Sequence, residues 1–203
     1  MDEPVALVET YLRLHGYFTV TEYPVVEAFG GRAFRASTDL DILAVRFPGA
    51  GWPFAFGRGA PREEFVPDPH LGTPRDEVDM IIGEVKEGRA ELNRGATDPR
   101  VLCAALARFG CCPPDHAAET AARLVRKGIA HTHSGHRVRL VAFGSTHPDG
   151  PMRYSVVQLG QVTAWLESYI DQNWALVSQA HFKDPAFALL VTLAKARRGV
   201  DAS

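Results

Sequence analysis

Asp79-Met80-Ile81-Ile82-Gly83-Glu84-Val85-Lys86 is the stretch on which the reading of this chain turns. Its apolar, β-branched centre reads as a buried strand. The far end carries a carboxylate and an ammonium two residues apart. Strand side chains alternate between faces, so Glu84 and Lys86 point the same way. Burying both charges is costly unless they pair, stay hydrated in a cleft or hold a metal. A second stretch, Asp39-Leu40-Asp41-Ile42-Leu43-Ala44-Val45, sets another carboxylate at the head of an apolar strand. Two acids and a lysine on neighbouring strands can form a metal-dependent hydrolytic site.

The 203 residues suit one domain with a sizeable core, or one domain with an appendage. A formal net charge of −2 counts against tight nonspecific binding to nucleic acid, although a local basic patch would suffice. No apolar run approaches the length needed to span a membrane. Met1-Asp2-Glu3-Pro4 lacks a signal-peptide pattern, and three cysteines, two of them adjacent, make no disulfide framework. A cytoplasmic location is the default expectation.

A helix is expected over 4–15, with Pro4 in its first turn and Val5, Val8 and Leu12 as its apolar stripe. Glu9 sits beside that stripe. Strands follow over 17–26, 39–47 and 79–86. The Pro/Gly-rich stretch 48–78 between the last two is long for a structureless loop. Asp98 and Pro99 open a helix that Gly110 stops, and Pro113-Pro114-Asp115 open another, running to 127. Strands are expected over 137–143 and 154–159, then a long helix over 161–180 and a last one over 185–197. Strands that come first as a meander, followed by helices, suggest an α/β domain with a central mixed sheet flanked by helices.

This order, with an Asp on the second strand and Glu-x-Lys on the third, resembles the PD-(D/E)xK nuclease superfamily, the restriction-endonuclease-like fold. Asp41-Ile42-Leu43-Ala44-Val45 is similar to the family's second-strand motif, and Ile81-Ile82-Gly83-Glu84-Val85-Lys86 to its third. Glu9 lies where several members, archaeal Holliday-junction resolvases among them, carry a helix-borne Glu. The similarity spans roughly residues 4–160, an αβββαβ core with an insertion at 48–78; the helices over 161–203 extend it and are expected to pack on it. The insertion is longer than in minimal members.

The resemblance implies phosphodiester hydrolysis with Mg²⁺, or Mn²⁺, held by Asp41, Glu84 and the backbone carbonyl of Val85. Lys86 would orient the attacking water or stabilise charge building on the phosphate, and Glu9 would complete the metal shell. Arg89 and Arg94 follow the site directly and are the candidate phosphate contacts. The expected partner is nucleic acid, DNA in preference, with no membrane. A homodimer would suit a duplex, because cutting two strands benefits from two sites.

Other readings stay open. Glu84 and Lys86 can simply pair at a strand edge. Asp39 reads as a turn cap and Asp79 as the residue that starts its strand. Trp52, Phe54, Phe56 and Phe65, near Arg58 and Arg62, either stack on unpaired bases or pin the loop to the core. His131, His133 and His136, with Cys111, Cys112 and His116 upstream, offer zinc-type ligands without zinc-site spacing, and 131–136 reads as a hairpin turn. The helices over 98–127 and that hairpin also resemble a winged helix-turn-helix, a binding module without catalysis. A degenerate nuclease fold kept as a protein-interaction scaffold is the third alternative.

Overall fold

A computed structural model describes residues 2–29, 31, 33–51 and 65–199. The expectations placed on Trp52, Phe54, Phe56, Arg58 and Arg62 therefore lie outside the described residues.

The chain begins with α1 (Glu3–Leu14), followed by β1 (Phe18–Phe29), β2 (Ala33–Arg46) and β3 (Asp79–Arg89). Next come α2 (Pro99–Phe109), α3 (Pro114–Lys127), β4 (Ile129–His131), β5 (Arg137–Thr146) and β6 (Ser155–Gln158). It ends in α4 (Leu159–Gln172), α5 (Trp174–Val177) and α6 (Pro185–Arg198). The fold is α/β, with one six-stranded mixed sheet in the order β1-β2-β3-β5-β4. The meander β1–β2–β3 is antiparallel, and β5 lies parallel to β3. Strands β4 and β6 share the other edge of β5, β4 along Arg137–Arg139 and β6 along Val141–Gly144.

Strand alternation splits the core into two layers. Ile81 and Val85 of β3 and Val141 and Phe143 of β5 face α1, α4 and α6. Met80 and Ile82, with Val138 and Leu140, face α2 and α3. The α1 stripe was visible as periodicity: Val5, Val8 and Leu12 are buried, and Val101, Leu102, Ala105 and Leu106 of α2 are buried on the other layer. Asp98 caps α2 through the Arg100 N–H, and Gly110 closes it at φ 66°.

Two expectations need correction. The helix expected over 161–180 breaks at Asn173, whose side chain donates to the Tyr169 carbonyl at 2.9 Å and competes with the helix ladder. Asp39 is no turn cap; it pairs with Pro24 inside a hairpin that runs on to Phe29 and Ala33. The Glu27–Arg35 ion pair at 2.8 Å bridges that polar extension. Asp79 starts β3 as expected, and it does more. It is fully buried and takes both carboxylate oxygens to Arg139 Nε at 3.1 Å, with Arg139 Nη2 at 2.9 Å and the Tyr17 hydroxyl adding donors.

That ion pair belongs to a network that ties the end of the 48–78 insertion to the sheet. Arg139 Nη1 donates to the Leu71 carbonyl at 2.7 Å, and Arg46 donates to the carbonyls of Ala50 and Pro74 at 2.6 and 3.1 Å. Asp68 accepts from the Tyr11 hydroxyl at 2.7 Å and donates its N–H to His15 Nε2 at 3.0 Å. His15 Nδ1 must then carry the proton that meets the Tyr11 carbonyl at 2.7 Å. Burial holds this imidazole neutral, with its pKa down at about 4. Phe65 packs edge-on to His15, so at this aromatic the pinning reading holds.

Candidate active site

β2 and β3 are hydrogen-bonded neighbours from Arg46↔Asp79 to Ile42↔Gly83, and there the ladder stops. On the other side of β2 the β1 ladder skips the same place: it runs to Thr21↔Ile42 and resumes at Tyr23↔Leu40. Glu22, opposite Asp41, has φ 51°, the left-handed region that a non-glycine residue seldom adopts. Leu40 and Ile42 are two residues apart yet pack into opposite layers. The register is the same on both sides of this gap, so pairing is interrupted without a bulge; the register shift of this hairpin lies at Val25/Val26. Asp41 Oδ2 accepts the Val85 N–H of β3 at 2.8 Å.

Beyond this parting lie Glu84 and Lys86, on the same face as their spacing requires. Lys86 Nζ donates to Glu84 Oε1 at 2.7 Å. The two ends of the pair live in different media, since the Glu84 side chain is 1% exposed and that of Lys86 44%. Asn93 Nδ2 also donates to Oε1, at 2.7 Å. Glu84 Oε2 is buried and has no hydrogen-bond partner among the described residues. Asp41, Val85 and Lys86, with Glu87 and residues 2–5 at the start of α1, line a cleft of about 510 Å³.

Electrostatics follow from that placement. Burial pushes the Glu84 carboxyl up to about 7, and the nearby Asp41 charge adds to the rise against the pull of Lys86 and Asn93. Burial opposes the Lys86 ammonium, but Glu84 and Asp41 outweigh it and the lysine ends above its ordinary value. Glu84 therefore carries a cost when ionised. An unfolded Glu gives up its proton near about 4.3, so between there and about 7 the folded state holds more protons, and stability falls as pH rises. Glu84→Gln is thus expected to raise the thermal midpoint by several degrees at about pH 8 in EDTA, on the order of 1–3 kcal/mol. The gain should nearly vanish at about pH 4.5. Thermal unfolding at both pH values checks this; an equal gain at both would trace it to packing and not to charge.

The residues present fit a hard divalent cation. A buried carboxylate oxygen with no donor among the described residues and a second carboxylate, Asp41, near enough to act on its charge are oxygen ligands, and Mg²⁺ needs only one or two carboxylates, keeping several waters. Among the described residues no group of three or more His, Cys, Asp or Glu side chains converges, so water would fill much of the shell of any bound ion.

The other candidates are placed less closely. Glu9 is buried, but its Oε1 is held by Arg13 at 2.7 Å and Thr19 at 2.9 Å. It lines a neighbouring, more apolar cavity of about 1010 Å³ between α1 and α6. That cavity and the Asp41 cleft share Glu3, Pro4 and Glu87 in their walls. Arg89 is half-exposed and pairs with Glu91 and Asp149 at 3.3 and 3.4 Å. Arg94 is exposed at the start of a 3₁₀ turn (Gly95–Thr97). The histidine constellation gathers only as far as a stacked His116–His133 pair, 4.5 Å between centroids, beside the β4–β5 hairpin turn that the sequence suggested.

Sequence reasoning missed Asn93, which reads as one polar residue in a polar stretch. The signal that could have found it is the bond demand of Glu84: a carboxylate at the end of a buried strand needs donors from the segment that follows. Among the described residues no helix is long and apolar enough to cross a membrane. Comparison with protein-family models, curated proteins and solved structures finds no match to this chain.

Proposed function

We propose that this chain is a Mg²⁺-dependent nuclease of the PD-(D/E)xK kind, hydrolysing phosphodiester bonds in the cleft where β2 and β3 part. The observation that carries the reading is Glu84 Oε2, a buried carboxylate oxygen near Asp41 that has no donor among the described residues. Leaving such an oxygen unsatisfied costs free energy, and a structural strand-edge ion pair would gain nothing from it. A cation-binding role gives it a partner.

Bound there, a divalent ion would polarise the phosphoryl group and favour deprotonation of the attacking water. Asp41 and Glu84 would hold it, with Asp41 fixed by the Val85 N–H. Lys86 has one end of its range at Glu84 Oε1 and the rest in solvent, so its ammonium can reach a phosphate oxygen and offset the charge that grows there. The aliphatic stem stays along the cleft wall. Glu9, in the adjoining cavity, would contribute only across the shared wall at Glu3 and Pro4.

Cleavage assays over single-stranded, duplex and branched DNA and over RNA test the reading. Cutting that requires Mg²⁺ or Mn²⁺, stops with EDTA and is lost in Asp41→Asn is the expected result. Metal-independent cutting, or cutting that survives Asp41→Asn, would contradict it.

A further inference from the structure

After β3 the chain leaves the sheet at Ala90, whose N–H donates to the Thr146 carbonyl at 2.9 Å, and turns back toward β2. The turn packs tightly there: a Cβ on Gly95 would lie 2.5 Å from Thr38 Oγ1, so this approach requires a residue without a side chain. Asn93 organises it. Its Oδ1 accepts the Ala96 N–H at 2.7 Å, and its carbonyl accepts from Thr97 Oγ1 at 3.3 Å. With Oδ1 committed to an N–H donor, the amide orientation follows, and Nδ2 is the atom that faces Glu84 Oε1.

Glu84 Oε1 therefore takes two donors, which fills its two lone-pair directions, while Oε2 takes none. The two donors differ in kind. Lys86 is a flexible, half-exposed ammonium, whereas Asn93 is locked at both ends of its amide. If Lys86 leaves for a phosphate, only Asn93 keeps Oε1 satisfied.

We infer that Asn93 is the positioning residue of this site: it fixes the Glu84 carboxylate so that Oε2 is the oxygen offered to the cation, and it retains Oε1 when Lys86 turns to the substrate. The inference rests on the nuclease reading of the same site. Such partners of a metal ligand are worth about 10–100-fold in metal affinity.

Asn93→Ser separates this role from turn capping. A serine hydroxyl still accepts from the Ala96 N–H but is too short to reach Glu84. Mn²⁺ is the probe, its binding followed by electron paramagnetic resonance of the free ion and its folding effect by thermal unfolding of the metal-free protein. The expected result is Mn²⁺ affinity at least about tenfold weaker in Asn93→Ser, with a metal-free midpoint close to that of the parent. Parent-like affinity in the variant would overturn the role of Asn93 alone, leaving the site intact. Collapse of the metal-free fold in Asn93→Ser would overturn it too, marking Asn93 as a structural cap. Absence of Mn²⁺ binding by the parent would overturn the nuclease reading and this inference together.

Discussion

Lys86→Ala is expected to lower cleavage by about a hundredfold to a thousandfold, the range typical of removing one preorganised charge from a transition state. The fold should survive, because the lysine side chain is 44% exposed and makes an ion pair with solvent on one side. Glu84 Oε1 keeps its bond to Asn93 in the variant, so no second oxygen is orphaned. Lys86→Arg keeps the charge but replaces a point ammonium with a wider planar fork, and should recover only part of the activity. Rates with saturating Mg²⁺, alongside thermal unfolding, check the pair. A variant that unfolds would show Lys86 to be a structural partner of Glu84, and the catalytic assignment would fall.

The largest stability effect is expected at the other end of β3. Arg139→Ala should cost about 3–5 kcal/mol, because it strands Asp79 as a buried charge. Asp79 and Arg139 are 0% and 2% exposed. Arg137 Nε approaches Asp79 Oδ1 at 3.3 Å without hydrogen-bond alignment, and its help is partial. The Leu71 carbonyl loses its donor in the same variant, so the segment after residue 65 should loosen first. The double variant Asp79→Leu/Arg139→Met should recover much of the loss, since hydrophobic replacement of a buried pair is often neutral. Denaturant unfolding of the three proteins measures this. A single-variant cost below about 1 kcal/mol would mean that water reaches the pair and that it does not anchor the insertion.

Much of the fold was legible because it is written locally. Asp98, Pro99 and Gly110 bracket α2 with cap chemistry, and the expected bounds match those observed. The three strands of the meander were found by apolar runs, but the β1–β2 hairpin runs beyond the expected ends at 26 and 39, to Phe29 and Ala33, along an exposed stretch where cross-strand pairs such as Glu27–Arg35 form. β4 escaped notice because three residues, Ile129 to His131, carry no period. Asp79 starts β3 as expected, but its ion pair was not legible: its partner Arg139 is sixty residues away and meets it only through the parallel pairing of β3 with β5. The hint was an arginine inside the apolar run Val138–Val141, which requires a buried acid somewhere.

The site divides the same way. Glu84, Lys86 and Asp41 were readable from strand position, and the structure bonds Lys86 to Glu84 and sets Asp41 near enough to act on both charges. The bond from the Val85 N–H to Asp41 and the positive φ at Glu22 opposite it were not, because neither residue type gives warning of them. Glu9 was found by helical spacing alone, which fixed its burial but not the wall between its cavity and the cleft.

The most direct test is calorimetric titration of Mn²⁺ into the protein and into Glu84→Gln at about pH 8, where the parent carboxylate is mostly ionised. Binding by the parent that is lost or weakened at least about tenfold in Glu84→Gln is the predicted result. Equal binding by both, or none by the parent, would contradict a cation site at Glu84.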